Sequence, residues 1–373
     1  MKSDLQKSIG KLRGFYKQTP NAPIFQDEFG YYCIDRWKAE GHINSEADLR
    51  ALSGFDAPAK LGLAGLGWCE AAFYPAFEEK LLEDRGETEL VQDFAGRAVL
   101  YYKGRRSGFM PTYEAHPVTD MKSWEENAKW RLDPHADGRV ADLQSTIQYG
   151  LDRLDDGIVI SQHVIGGYMY LRSLIGPEEL LYKFYDEPEL IHACMEAWLA
   201  LADFISAEHQ KHFSPDEVFF AEDICYNHGL LISPDMMRRF LFPYYQQLIS
   251  NIRRRQKDKA KRLFIQVDTD GNVDSAIDMY QEIGMDYMSP FEVASGSDVV
   301  AVRKKYPALL MRGGIDKRIL AEGKDAISRE LERIMPFMRR HGGYIPTCDH
   351  GVPEEVSFEN YMHYRKLMLE YGA

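Results

Sequence analysis

Cys348-Asp349-His350 sets a thiol, a carboxylate and an imidazole side by side, just after the apolar pair Tyr344-Ile345 and a Gly-Gly step at 342–343. A short apolar run punctuated by glycine reads as a buried strand, and a polar cluster at its carboxyl end is where parallel α/β folds carry chemistry. The pattern recurs along the chain. Apolar runs at 158–160, 218–221, 263–267, 286–288 and 308–311 lead into His163, Glu222-Asp223, Asp268-Thr269-Asp270, Glu292 and Asp316. If the strand ends share one mouth, Glu222, Asp223, Asp268, Asp270, Glu292, Asp316, Cys348, Asp349 and His350 converge there. So many acids in one cavity are protonated, hydrogen-bonded or bound to a cation, because like charges at short range repel. Asp268 and Asp270 share a face of an extended segment, since side chains alternate along a strand. Asp316 has local partners in Lys317 and Arg318, and Asp298 suits a helix cap.

The elements that must hold these residues follow from the spacing. Between the strands lie segments with apolar residues three and four apart, at 188–212, 234–254, 276–283 and 320–340, so that strand, polar turn and helix repeat. Ionisable residues recur at every strand end instead of at one switch point, which predicts a (β/α)8 TIM barrel over a doubly wound sheet. Residues 1–60, charged and amphipathic, read as an N-terminal helical extension. Residues 61–373 read as the barrel, with 61–113 folding as an antiparallel flap over the site. After His163, Gly166-Gly167 allows close backbone approach to a ligand, and Tyr168, Met169 and Tyr170 suit an apolar pocket. Neither a dinucleotide fingerprint nor a nucleophile elbow occurs.

Composition removes several functions. Lys and Arg number 45 against 58 Asp and Glu, a net charge of −13 that repels the phosphates of nucleic acids and anionic membranes. Five cysteines without a C-x-x-C pattern suit reduced thiols of a cytoplasm. The amino terminus lacks the apolar core of a signal peptide, and no run approaches the ~18 apolar residues of a membrane span. The expectation is a soluble cytoplasmic protein.

A set of phrases, in order, is more specific: Trp124-Glu125-Glu126, Glu222-Asp223 with Ile232-Ser233-Pro234 and Phe242-Pro243-Tyr244-Tyr245, Asp268-Thr269-Asp270-Gly271-Asn272, Pro290-Phe291-Glu292, Gly313-Gly314-Ile315-Asp316-Lys317, and Gly343-Tyr344-Ile345-Pro346 through Asp349-His350. Together they resemble the uroporphyrinogen decarboxylase-like superfamily. The resemblance implies a (β/α)8 barrel with its site at the strand carboxyl ends, and a homodimer as the candidate assembly. True decarboxylases of the superfamily carry an early Arg-Gln-Ala-Gly-Arg motif that is absent here, and the net charge disfavours a polyanionic porphyrinogen. The chain is closer to the cobalamin-dependent methyltransferase branch.

That branch implies transfer of a methyl group from a small methoxylated aromatic donor to cob(I)alamin on a partner corrinoid protein, as an O-demethylase component. No corrinoid-binding Asp-x-His-x-x-Gly sequence occurs in the chain, so the cofactor comes on the partner. Thiol-methylating members hold zinc by a His-x-Cys pair and a later Cys. Here Asp268-x-Asp270 stands at the first place and Cys348 near the later one, so the resemblance implies Glu222, Asp268 and Cys348 as a zinc set. Asp270, Glu292 and His350 are the candidate catalytic groups, protonating the departing oxygen. His163, Tyr168, Tyr170, Glu222 and Phe291 are the candidate substrate contacts, with Trp68 and Phe73 as further rings. The alternatives are a decarboxylase of a uroporphyrinogen-like substrate and a catalytically inactive barrel that binds a small molecule.

Overall fold

A computed structural model describes residues 2–106 and 111–373. The main sheet starts with β1 (Lys60–Leu63). A separate antiparallel sheet follows, made of β2 (Lys80–Arg85), β3 (Thr88–Gln92), β4 (Ala98–Tyr102) and β5 (Thr112–Ala115). The chain returns to the main sheet with β6 (Val159–Ile165) and β7 (Glu217–Ala221), makes a small hairpin of β8 (Cys225–Tyr226) and β9 (Gly229–Leu230), and ends the sheet with β10 (Phe264–Asp268), β11 (Tyr287–Ser289), β12 (Leu310–Arg312) and β13 (Tyr344–Ile345). The order is β1-β6-β7-β10-β11-β12-β13, all parallel, with the strands in chain order. Helices occupy the connections, among them Pro188–His212, Phe242–Arg255, Asp274–Gln281 and Lys324–His341. Parallel strands covered on both faces read as continuous apolar runs, and β7 is buried at every position.

The sheet curls, because residues of its inner face meet across it. Lys60 of β1 donates to Glu217 of β7 at 2.8 Å, and Ser161 of β6 donates to the same carboxylate at 2.6 Å. Burial opposes ionisation of Glu217, yet Lys60 and the hydroxyls of Ser161 and Tyr16 outweigh it and hold its pKa below the ordinary range. Seven paired strands stand where the pattern predicted eight, and β13 does not pair with β1 among the described residues. Residues 24–32 run between these two edges. Gly30 O and Tyr32 N–H bond Val352 beyond β13, and Gln26 O accepts from Asp56 N ahead of β1.

The first helix, Lys2–Tyr16, covers the amino end of the sheet. Arg13 pairs with Asp216 at 2.6 Å and caps the carbonyls of Gly157 and Ile158, all just ahead of β6 and β7. The opposite end is thereby left for chemistry. The antiparallel sheet lies at 80–115, over the later part of the stretch read as a flap, but 61–63 joins the parallel sheet instead, and 71–75, strand-like in sequence, forms no strand. One expectation needs correction: Pro188–His212 does have the length and apolarity of a membrane span. Half of its most apolar stretch is buried in the fold, where Trp198 donates to the Ile165 carbonyl at 2.8 Å.

Candidate active site

A cavity of about 820 Å³ opens at the carboxyl ends of β7, β10 and β11 and at the turn after β13. Asp223, Asp268, Asp270 and His350 line it on the strand side, and Arg97 and Tyr113 of the antiparallel sheet line it too. Asp268 ends β10 and Asp270 follows two residues later, so both face the mouth, as the alternation predicted. Asp223 sits at φ 45, a left-handed conformation that side chains seldom adopt, and its carboxylate meets Arg172 at 2.7 Å.

The electrostatics are dominated by Asp268 and Asp270, neither of which pairs with a lysine or arginine among the described residues. Burial first, and the neighbouring Asp270 next, lift the Asp268 carboxyl to about 7, although Ser289 donates to it at 2.6 Å. Burial and the facing Asp223 and Glu292 raise Asp270, opposed by His350 and Lys317. His350 Nε2 lies 3.8 Å from Asp270 Oδ2, and its Nδ1 lies 3.4 Å from the Tyr32 hydroxyl, with the two rings nearly parallel. Glu292 accepts from Gly271 N–H at 2.8 Å and sits 3.8 Å from the Lys317 ammonium, so it backs the Asp270 turn from behind. Asp349 is fully buried and structural: it accepts from the Val293 and Lys317 N–H groups, tying three strand ends together.

Several expected contacts are held by the protein's own groups. Glu222 reaches the cavity floor but is held by Tyr168 N–H at 2.8 Å and the Tyr245 hydroxyl at 2.5 Å, and burial lifts it to about 7. A Cβ at Gly166 would overlap Glu222, so the glycine admits this carboxylate and not a ligand. Tyr168, Tyr170 and Phe291 are core residues, 1 %, 2 % and 0 % exposed, with the Tyr170 hydroxyl donating to the Cys194 carbonyl. The helix Gly167–Ile175 offers Met169, Arg172 and Ser173 to the cavity in their place. His163 and Phe73 line a second, smaller cavity, and Trp68 lines both. Asp316 is committed to Arg318 at 2.8 Å, and Asp298 caps the helix Val299–Lys305.

The zinc set does not assemble. Cys348 is fully buried, its N–H donates to Glu28 Oε1 at 2.9 Å, and burial together with Glu28 pushes its thiol well above the ordinary range. Backbone bridges from Cys348 to Ile315 and from Val352 to Tyr31 fix both ends of this turn, which carries His350 to the mouth and leaves the thiol inside. Among the described residues no three His, Cys, Asp or Glu side chains group closely enough to hold a metal ion. Glu222, Asp268 and Cys348 therefore do not fit zinc as a set.

Tyr32, Arg97 and Arg172 join the site without having been predicted. Arg97 is itself bound by Asp93 at 2.7 Å and Glu70 at 3.0 Å. Tyr32 and Arg97 lie far in sequence from the strand ends they serve, and Arg172, in the helix after β6, meets its partner Asp223 beyond the next strand, so the pairing itself has no local signal.

Residues 102–371 match the uroporphyrinogen decarboxylase (URO-D) family. Among solved structures, a methyltransferase from Methanosarcina mazei is similar over 98% of this chain and 99% of that one, with a TM-score of 0.58 at 13% identity, a likeness of fold. A protein from Listeria monocytogenes assigned as a vitamin-B12 independent methionine synthase (10% identity, 94% and 97% covered, TM-score 0.38) and xylanase B from Clostridium stercorarium F9 (12%, 62% and 78%, 0.33) are more distant. No curated protein matches the sequence.

Proposed function

The chain belongs to the uroporphyrinogen decarboxylase family, and from that footing we propose that it is a methyltransferase of the corrinoid-dependent kind, taking a methyl group from a small methoxylated aromatic donor. The observation that carries this reading is Asp270, a mouth-facing carboxyl of raised pKa set between Asp223, Glu292 and His350. An ether oxygen is a poor leaving group, so cleavage of its bond to the methyl carbon needs a proton delivered to the oxygen as it departs. Asp270 donates that proton. His350, partly exposed and 3.8 Å away, returns one from solvent, and Tyr32 orients its ring.

The corrinoid, brought by a partner protein, supplies the nucleophile that accepts the methyl group. This chain needs only a mouth open to that partner, and a cavity of about 820 Å³ with Tyr32, 64 % exposed, among its lining residues suits a one-ring donor approached from outside. No step is assigned to zinc, because its ligands do not converge. The family's name favours decarboxylation as a second reading. Against it, the two lining arginines are each committed to carboxylates of the protein, which leaves a polyanionic substrate poorly matched.

The test is anaerobic. Purified protein is mixed with chemically reduced cobalamin and a panel of methoxylated aromatics, methanol and methylamines, and both the loss of cob(I)alamin absorption and the release of the phenol are followed. The expected result is one phenol released per cob(I)alamin consumed. Carbon dioxide released from uroporphyrinogen, with no phenol from any donor, would overturn the proposal in favour of decarboxylation.

A further inference from the structure

A second cavity, of about 530 Å³, adjoins the mouth and shares Trp68 and Glu70 with it. Trp68 is 52 % exposed but firmly placed: its ring lies flat over Phe219 at 5.3 Å and 7°, with the His163 ring 6.3 Å away. The Gly65-Leu66-Gly67 turn sets it there. Both glycines have positive φ, and a Cβ at Gly67 would overlap the Glu70 carbonyl. Much of the remaining wall is small, with Ala64, Ala71, Ala72 and Ala76, and the rings of Phe73, Tyr74 and Phe94 complete it, Phe94 at 47 % exposure. Large apolar side chains exposed into a concavity, and not scattered on a convex surface, are the composition of a ligand site.

Charge narrows the ligand. Glu70 is neutralised by Arg97 at 3.0 Å. Arg139 donates from Nε to the Asp133 carbonyl and from Nη2 to the carbonyls of Ala72 and Arg131. Asp142 and Tyr74 also line the cavity, and the polar handle beside Trp68 is His163, whose ring nitrogens make no hydrogen bond among the described residues. Burial lowers its pKa, so the imidazole is neutral and offers both a donor and an acceptor. Gly62 leaves room for that ring, since a Cβ there would stand 2.9 Å from His163 Cε1.

We propose that this second cavity is a binding site for an uncharged, flat aromatic molecule bearing a hydroxyl, packed against Trp68 and hydrogen-bonded to His163, distinct from the acid-lined mouth. The proposal does not rest on methyl transfer, and its test contains no corrinoid. Calorimetric titration compares 2-naphthol, 2-methylnaphthalene and naphthalene-2-sulfonate as probes. The expected order puts 2-naphthol at least about tenfold tighter than the other two, since a site built to bond a hydroxyl discriminates against its absence and an apolar wall beside the Asp142 carboxylate discriminates against an anion. Ala64→Phe, which fills the cavity from an exposed position, and Trp68→Ala each weaken 2-naphthol by about tenfold or more, and His163→Phe removes the preference over 2-methylnaphthalene. Thermal melts establish that each variant is folded, and Ala64→Phe alone decides the matter if Trp68→Ala is not. Undiminished binding to folded Ala64→Phe, equal binding of the sulfonate, or no binding to the wild-type protein overturns the proposal and leaves the methyl-transfer assay unaffected.

Discussion

Replacing Glu222 by glutamine isolates the cost of ionising a carboxyl that has no cation. Its side chain is fully buried and accepts from Tyr168 N–H and the Tyr245 hydroxyl, and no base contributes to holding it. Burial carries its pKa from an ordinary 4.5 to about 7. Between those two values the folded protein keeps a proton that the unfolded chain has released. The native state then binds more protons than the unfolded one, so stability is fully present below the lower value and is lost as pH rises through the upper one, the reverse of a salt-bridged carboxylate. A gap of about 2.5 pH units at ~1.36 kcal/mol each amounts to about 3 kcal/mol. The amide of the Glu222→Gln variant cannot ionise and escapes this loss, but it turns a nitrogen toward one of the two donors, at a cost of about 1–3 kcal/mol at every pH. The informative quantity is therefore the difference between the two proteins in urea unfolding at pH ~5 and pH ~8. Glu28 and Asp268, also lifted to about 7 by burial, act alike in both proteins and cancel. Relative to the variant the wild type should lose about 2.5 kcal/mol between the two pH values, leading at the lower and falling level with the variant or behind it at the higher. A difference that is constant, or that grows with pH, refutes the account of Glu222 as an unpaired buried acid.

Asp270→Asn should lower the turnover number for phenol release by about 10²–10⁴ with little change in KM, and a pH–rate profile should lose the decline that the wild type shows as pH rises through the raised Asp270 pKa. An unchanged profile would remove Asp270 from proton transfer. Cys348→Ala should leave rate and metal content unchanged and cost about 1 kcal/mol of stability, because the thiol is buried beside Glu28. A loss of rate restored by added zinc would reinstate a metal. Lys60→Met strands Glu217 inside the sheet and should cost about 3–5 kcal/mol in chemical unfolding. A change below about 1 kcal/mol would mean that the Ser161 and Tyr16 hydroxyls hold the carboxylate unaided.

How much was legible in the sequence depended on whether the signal was local. The strands β6, β7 and β10 to β13 fall on the apolar runs read from the chain, and the helix Pro188–His212 has the bounds its spacing predicted. Each such element carries its own period and its own glycine or proline punctuation. β1 was not read as a strand, because Lys60-Leu61-Gly62-Leu63 is short and interrupted by glycine, and only its ladder with β6 makes it one. The acids were legible as a set, since Asp268 and Asp270 alternate onto one face and end a strand.

Their individual roles were not. Glu222 and Cys348 carry the same chemical promise in sequence as Asp270 and His350, yet one is enclosed by Tyr168 and Tyr245 and the other faces Glu28 from the N-terminal segment. By itself the sequence determined a repeating strand-and-helix grammar with ionisable residues at the strand ends, because those patterns repeat within a few residues. Tertiary structure alone decided which acids reach water and which are sealed, and it supplied Tyr32, Arg97 and Arg172 to the mouth, because burial and pairing depend on partners tens to hundreds of residues away in the chain.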